Sequence, residues 1–109
     1  MNTFKILFSD DAKNDLRSIY YYIAGTLLEP GVASGQKNRI VAAVRSLEQM
    51  PERHPLYDDD PWRSKGFRKM FIDNYVVLYV PMSEKKEVLV VCILYAKRDI
   101  NEALRENKN

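Results

Sequence analysis

Midway along this chain the spacing of apolar residues changes from helical to extended, and the change falls at a proline-rich loop. Before the loop, Ala12, Leu16, Ile19, Tyr20, Ile23 and Leu27 recur at steps of three and four, which predicts one apolar face of an amphipathic helix. Ser9 or Asp10 can cap its first turn, and Asp10 and Asp11 suit the positive helix end. The short apolar run Phe4–Phe8 just upstream reads as a strand. Glu29-Pro30-Gly31 interrupts the pattern. A second helix is predicted from about Val32 to Met50, with Ala33, Ile40, Val41, Val44 and Leu47 inward and Lys37, Arg39, Arg45 and Glu48 in water. Pro51 ends it, and the short break between the helices predicts an antiparallel hairpin.

Residues 52–61 read as an irregular loop carrying the acidic run Asp58-Asp59-Asp60. Past it the period is two. Gly66–Ile72 alternates as a half-buried strand, Asp73-Asn74 turns, Tyr75–Val80 follows, and Pro81–Lys86 forms a polar turn. Val88–Tyr95 is almost wholly apolar, as expected of a strand covered on both faces. Short turns predict an antiparallel meander. Asp99, with Glu102 three positions on, can start a last short helix. The predicted fold is α+β, in the order β-α-α-β-β-β, with the helical hairpin packed on one face of a small, mainly antiparallel sheet.

At 109 residues, 1–109 is expected to form a single domain. One cysteine, Cys92, excludes an intrachain disulfide and a cysteine-rich zinc site; its place in the most apolar strand predicts burial. No apolar run is long enough for a membrane span and the start lacks a signal-peptide pattern, so a cytoplasmic location is expected. No phosphate loop, metal-ligand cluster or nucleophile beside a histidine is present, and neither metal nor organic cofactor is called for.

Charge is more informative when divided. Residues 1–61 carry 7 basic and 9 acidic side chains, whereas residues 62–109 carry 10 and 6. Arg63, Lys65, Arg68 and Lys69 cluster around the first meander strand, and Lys97 and Arg98 follow the last. With Trp62, Tyr75 and Tyr95 beside them, they would make a basic edge suited to nucleic acid or to a protein partner, or an ordinary solvated sheet edge. His54, the one histidine, sits in the loop, where it is either solvated or available for acid–base work. In Tyr20-Tyr21-Tyr22 the first belongs to the buried stripe, and the other two are expected at the edge of the core.

Several segments together resemble the RelE/ParE superfamily of toxins from type II toxin–antitoxin modules. They are Lys5-Ile6-Leu7-Phe8-Ser9 with Ala12, Leu16, Ile19, Tyr20, Tyr22 and Ile23; Leu47-x-x-Met50-Pro51; Gly66-Phe67-Arg68-Lys69-Met70; Asn74–Tyr79; and Ile93–Ile100. The resemblance implies a growth-inhibiting protein neutralised by a cognate antitoxin. It implies one of two targets, DNA gyrase for ParE-like members or the ribosome with its mRNA for RelE-like ones. A ribosome-dependent endoribonuclease would draw its catalytic set from Arg68, Tyr95 and His54. The basic, aromatic set Arg63, Lys65, Lys69, Tyr75, Lys97 and Arg98 is the candidate target-binding surface for either target, with Lys97 and Arg98 expected to matter for gyrase. Tyr75 stands where many nuclease members carry arginine, and Asn74-Tyr75-x-x-x-Tyr79 and Leu94-Tyr95-x-x-Arg98-Asp99 look more ParE-like, although Tyr95 replaces a common histidine. A non-toxic interaction module, a decayed toxin, is the third reading.

Overall fold

The computed structural model describes residues 3–106. Strand β1 (Lys5–Phe8) leads into helix α1 (Asp10–Tyr21) and helix α2 (Pro30–Arg45). Strands β2 (Arg68–Ile72), β3 (Tyr75–Met82) and β4 (Glu87–Tyr95) follow, then helix α3 (Ile100–Glu106). The sheet order is β1-β4-β3-β2. The three meander strands are antiparallel, and β1 lies parallel to β4, from Lys5 opposite Glu87 to Phe8 opposite Val90. A parallel neighbour needs a long crossover, and the helical hairpin supplies it.

Of the two candidate caps, Ser9 is the one that starts α1, its hydroxyl accepting the Ala12 N–H at 3.0 Å. The helix does not continue regularly to Leu27. Its last turn, Tyr22–Thr26, widens to π geometry, with the Leu27 N–H reaching the Tyr22 carbonyl at 3.1 Å. The extra residue rotates later side chains off the apolar face, so Leu27 is 51% exposed instead of buried. Tyr21 and Tyr22 are likewise open to solvent, not tucked at the core edge, and Tyr20 is half-buried. Helix α2 begins at Pro30, earlier than the predicted Val32, because proline lacks only an N–H that the first helical position would leave unused. It ends at Arg45 in a 3-10 turn, Ser46–Glu48, and Met50 then adopts a left-handed φ of 47°.

Ala12, Ile40, Val44 and Leu47 pack on Met70, Val77, Tyr79, Val88, Val90 and Ile93 of the sheet. Ile40 is wholly buried there, and truncating such a residue to alanine costs about 2–5 kcal/mol. The opposite face is also covered. Ala103 and Leu104 of α3, with Tyr57 of the loop, pack on Val76, Leu78, Cys92 and Leu94. The third helix therefore lies across the sheet from the other two. Cys92 is fully buried, as predicted, and burial pushes its thiol up to about 12.

Strand boundaries shift for physical reasons. Gly66 and Phe67 precede β2; Gly66 has a φ of 86°, which fits a turn. Pro81, predicted to lie in a turn, is inside β3. It is tolerated because β2 pairs only with Tyr75–Tyr79, leaving that half of β3 at an edge. Coverage on both faces holds for Cys92–Leu94 alone, since Leu89 and Val91 are half-buried. A bulge separates the two parts of β4. Leu78 pairs with Cys92 but Tyr79 pairs with Val90, so Val91 is an extra residue and the inward alternation resets.

Candidate functional site

The predicted site residues occupy three separate places. The first is the Arg68 end of the sheet. Arg68 opens β2 opposite Tyr79, and its Nη1 donates to the His54 carbonyl at 2.7 Å and the Glu52 carbonyl at 3.2 Å. The Tyr79 hydroxyl donates to the Pro51 carbonyl at 2.7 Å from a fully buried position, and burial raises its pKa to about 12. The His54 ring stands edge-on to Tyr79 with centroids 6.4 Å apart. Its Nε2 is sealed from solvent without a hydrogen-bond partner. Burial, then the neighbouring Arg53 charge, holds the His54 pKa below its ordinary value, so the imidazole is neutral at pH 7. His54 is thus half-buried rather than a fully solvated loop histidine.

The second place is the other end of the same strands. Tyr75 lies directly opposite Tyr95, and their rings meet edge-on at 5.9 Å. Burial, then Tyr95 and Tyr22, raises the Tyr75 pKa. Tyr95 is 45% exposed. The Ala96 N–H donates to the Asn74 carbonyl at 2.8 Å, and the exposed Lys97 and Arg98 follow on that turn. Four residue steps of β2, about 13 Å at ~3.3 Å each, separate Arg68 from the position opposite Tyr75 and Tyr95.

The third place lies over the face that α3 covers. Trp62 packs edge-on against Tyr57 at 5.8 Å. The Arg63 Nη1 donates to the Tyr57 carbonyl at 3.2 Å, and the Lys69 ammonium pairs with Asp58 at 2.6 Å. Lys65 is exposed at a cleft of about 730 Å³ bounded also by Asp59, Trp62, Asn101 and Arg105. The Asp60 carboxylate, held below its usual range by two bonds from Ser64, stiffens that loop. The basic residues therefore do not merge into one edge. Arg68 stands with His54, Tyr75 with Tyr95, Lys97 and Arg98, and Arg63, Lys65 and Lys69 with acidic neighbours.

A further surface was not singled out in the sequence. Phe8, Leu16, Tyr20 and Val41 floor a trough of about 500 Å³ between α1 and α2, rimmed by Lys13, Arg17 and Lys37. It continues past the shared Phe8 and Val41 into a second hollow of about 420 Å³ along the outer edge of β1. Its signal was visible in pieces, as basic residues flanking each helical stripe. Only the packing of the two helices joins them.

Among described residues no group of three or more histidine, cysteine, aspartate or glutamate side chains is placed to hold a metal. No described helix is long and apolar enough to cross a membrane.

Solved structures share this architecture. A chromosomal ParDE toxin–antitoxin system from P. aeruginosa matches with a TM-score of 0.74 at 19% identity, over 89% of this chain and 100% of that one. A mutant of the E. coli toxin RelE in the free state matches with a TM-score of 0.64 at 15% identity, over 95% and 97%. The RelBE2 toxin–antitoxin complex of Mycobacterium tuberculosis gives 0.58 at 17% identity, over 85% and 98%. At these identities the likeness is one of fold. No curated protein matches the sequence. The family model for the ParE toxin of the type II toxin–antitoxin system parDE matches residues 6–100. With nearly the whole chain inside that match and the same fold in ParDE and RelE structures, this protein belongs to the ParE toxin family of type II toxin–antitoxin systems.

Proposed function

We propose that this toxin arrests growth by binding DNA gyrase, without cutting a substrate itself. The observation that carries this reading is the separation of the residues a nuclease would need together. General acid–base cleavage of RNA requires a base, a phosphate-binding cation and an acid converging on one phosphodiester. Here the Arg68 guanidinium is engaged by two loop carbonyls, His54 faces Tyr79, and Tyr95 lies at the far end of the sheet. At the other end of the sheet the Tyr75 and Tyr95 rings meet and the exposed Lys97 and Arg98 follow on the next turn, aromatic area beside positive charge that supports a protein-binding role. Membership of the ParE family favours the target that the resemblance implies for ParE-like members. Gyrase acts on DNA in the bacterial cytoplasm, so this reading places the toxin there.

The partner that restrains it is a cognate antitoxin, as the ParDE and RelBE complexes are toxin–antitoxin assemblies. The trough over α1 and α2 favours an acidic, amphipathic segment, because three cations rim an apolar floor.

The test pairs a gyrase supercoiling assay with a translation-coupled mRNA cleavage assay, using the full chain. Inhibited supercoiling with intact mRNA is expected. Codon-phased cuts with unaffected supercoiling would instead establish the ribosome as target. Induced expression without antitoxin is expected to stop growth; normal growth with folded protein present would leave a non-toxic interaction module.

A further inference from the structure

Past Val90, strand β4 continues with no strand on its outer side among the described residues. β1 ends at Phe8, opposite Val90, yet β4 extends to Tyr95. The first turns of α1 stand where the missing strand would be. The Ser9 N–H donates to the Val90 carbonyl at 3.0 Å, and the Ser9 hydroxyl donates to the Val91 carbonyl at 2.6 Å. Asp15 Oδ2 then accepts the Ile93 N–H at 3.0 Å. These bonds bracket the bulge at Val91, where the β3–β4 register shifts.

The sequence position of Asp15 makes the arrangement notable. It falls three residues after Ala12 and beside Leu16, on the stripe that packs toward the sheet. A carboxylate there loses hydration, and burial raises its pKa, opposed by the Ile93 N–H and the Arg98 charge. An apolar residue at this position would avoid that cost but would leave the Ile93 N–H without its acceptor. Two residues beyond Ile93 stands Tyr95, then the turn with Lys97 and Arg98.

We propose that Asp15 is a positioning residue: through the Ile93 N–H it makes α1 a substitute strand that holds the end of β4, and with it Tyr95, Lys97 and Arg98, in the geometry that meets the target. The target half of this statement rests on the gyrase reading above. The positioning half does not.

The test compares the full-length wild type with Asp15→Ala and Asp15→Asn by residue-resolved amide hydrogen exchange and by supercoiling inhibition. Asp15→Ala is expected to speed exchange of the Ile93 amide and of residues 94–98 at least about tenfold, the lower end for one lost charge-assisted hydrogen bond. Amides paired between β2 and β3 keep their protection, and the concentration needed for half-inhibition rises by about the same factor. Asparagine retains a side-chain carbonyl acceptor but not the charge, so Asp15→Asn is expected to fall between alanine and wild type in both readouts. Unchanged exchange in Asp15→Ala would overturn the proposal. So would a uniform rise across β2 and β3, or an Asp15→Asn variant as impaired as the alanine. Wild-type protein that fails to inhibit supercoiling would overturn the target reading alone, and the exchange data would still decide the role of Asp15.

Discussion

The Arg68 guanidinium donates to the backbone carbonyl of His54 at 2.7 Å, so the most prominent candidate cation holds the loop that carries the candidate base. With the second bond to the Glu52 carbonyl, it joins residues 52–54 to the first position of β2. The Leu56–Arg68 bridge and the Lys69 N–H to Pro55 carbonyl bond at 3.1 Å continue the attachment. In this arrangement Arg68 fastens the loop to the sheet.

Replacing Arg68 with alanine should therefore lower stability. Hydrogen bonds from a charged donor are worth about 1.5–3 kcal/mol each when well formed, and Arg68 is half-buried. A loss of about 2 kcal/mol is expected, read from urea denaturation, with Arg68→Lys intermediate. If the nuclease reading held instead, Arg68→Ala and Tyr95→Phe would abolish mRNA cutting in folded protein.

The Tyr79 hydroxyl tests the same attachment from beneath. Tyr79→Phe keeps the ring and deletes the bond to the Pro51 carbonyl. Leaving that acceptor unpaired is expected to cost about 1–3 kcal/mol. An unchanged urea midpoint would show that water satisfies the carbonyl equally well.

His54 gives stability a pH dependence. Its folded pKa lies below the ordinary 6.5 because burial and Arg53 disfavour the imidazolium. Between the folded and unfolded values the unfolded chain binds more protons. The stability contribution is present above 6.5 and is lost as pH falls through the depressed folded value. Denaturation midpoints from pH 7.5 downward should show this loss, and His54→Gln should flatten it.

Charge reversal at the far end addresses the target. Lys97→Glu and Arg98→Glu should weaken supercoiling inhibition, and added salt should weaken the wild type in the same direction, since exposed charges are screened. Full inhibition by the double variant would remove this turn from the interface.

Leu28 is held at a φ of 57° while 78% exposed. A left-handed backbone costs a non-glycine residue about 1–2 kcal/mol, and an exposed side chain has little packing to lose. Leu28→Gly is expected to be neutral or to stabilise by up to about 1 kcal/mol after glycine's larger unfolded-state entropy is subtracted. A clear loss of stability would show that the Leu28 side chain has a packing role.

The order β-α-α-β-β-β was legible because each local segment carries its own signal. Ser9 and Asp99 read as caps, and both cap: Asp99 Oδ1 accepts the Glu102 N–H at 3.1 Å. Ala12, Ile40, Val44 and Leu47 read as core and are buried. The π turn at Tyr22–Thr26 was not legible, since hydrophobic spacing does not register one inserted residue. The apolar run of β4 announced cover on both faces, but not what supplies it on the second: Tyr57 and Leu104, from opposite sides of β2–β4 in sequence, join one cluster there.

By itself, the sequence determined the elements, their order, the inward faces and the family resemblance, because periodicity, caps and turns are set by residues a few positions apart. Only the tertiary structure decided where the charges and aromatics act. Arg68 and Tyr95 are both strand-end residues in a basic half of the chain, yet antiparallel pairing sends them to opposite ends of the sheet. Asp15 and Ile93 are 78 positions apart, and no local pattern announces that a helix carboxylate will complete a strand. Such pairings follow from register and packing, which depend on the whole chain at once.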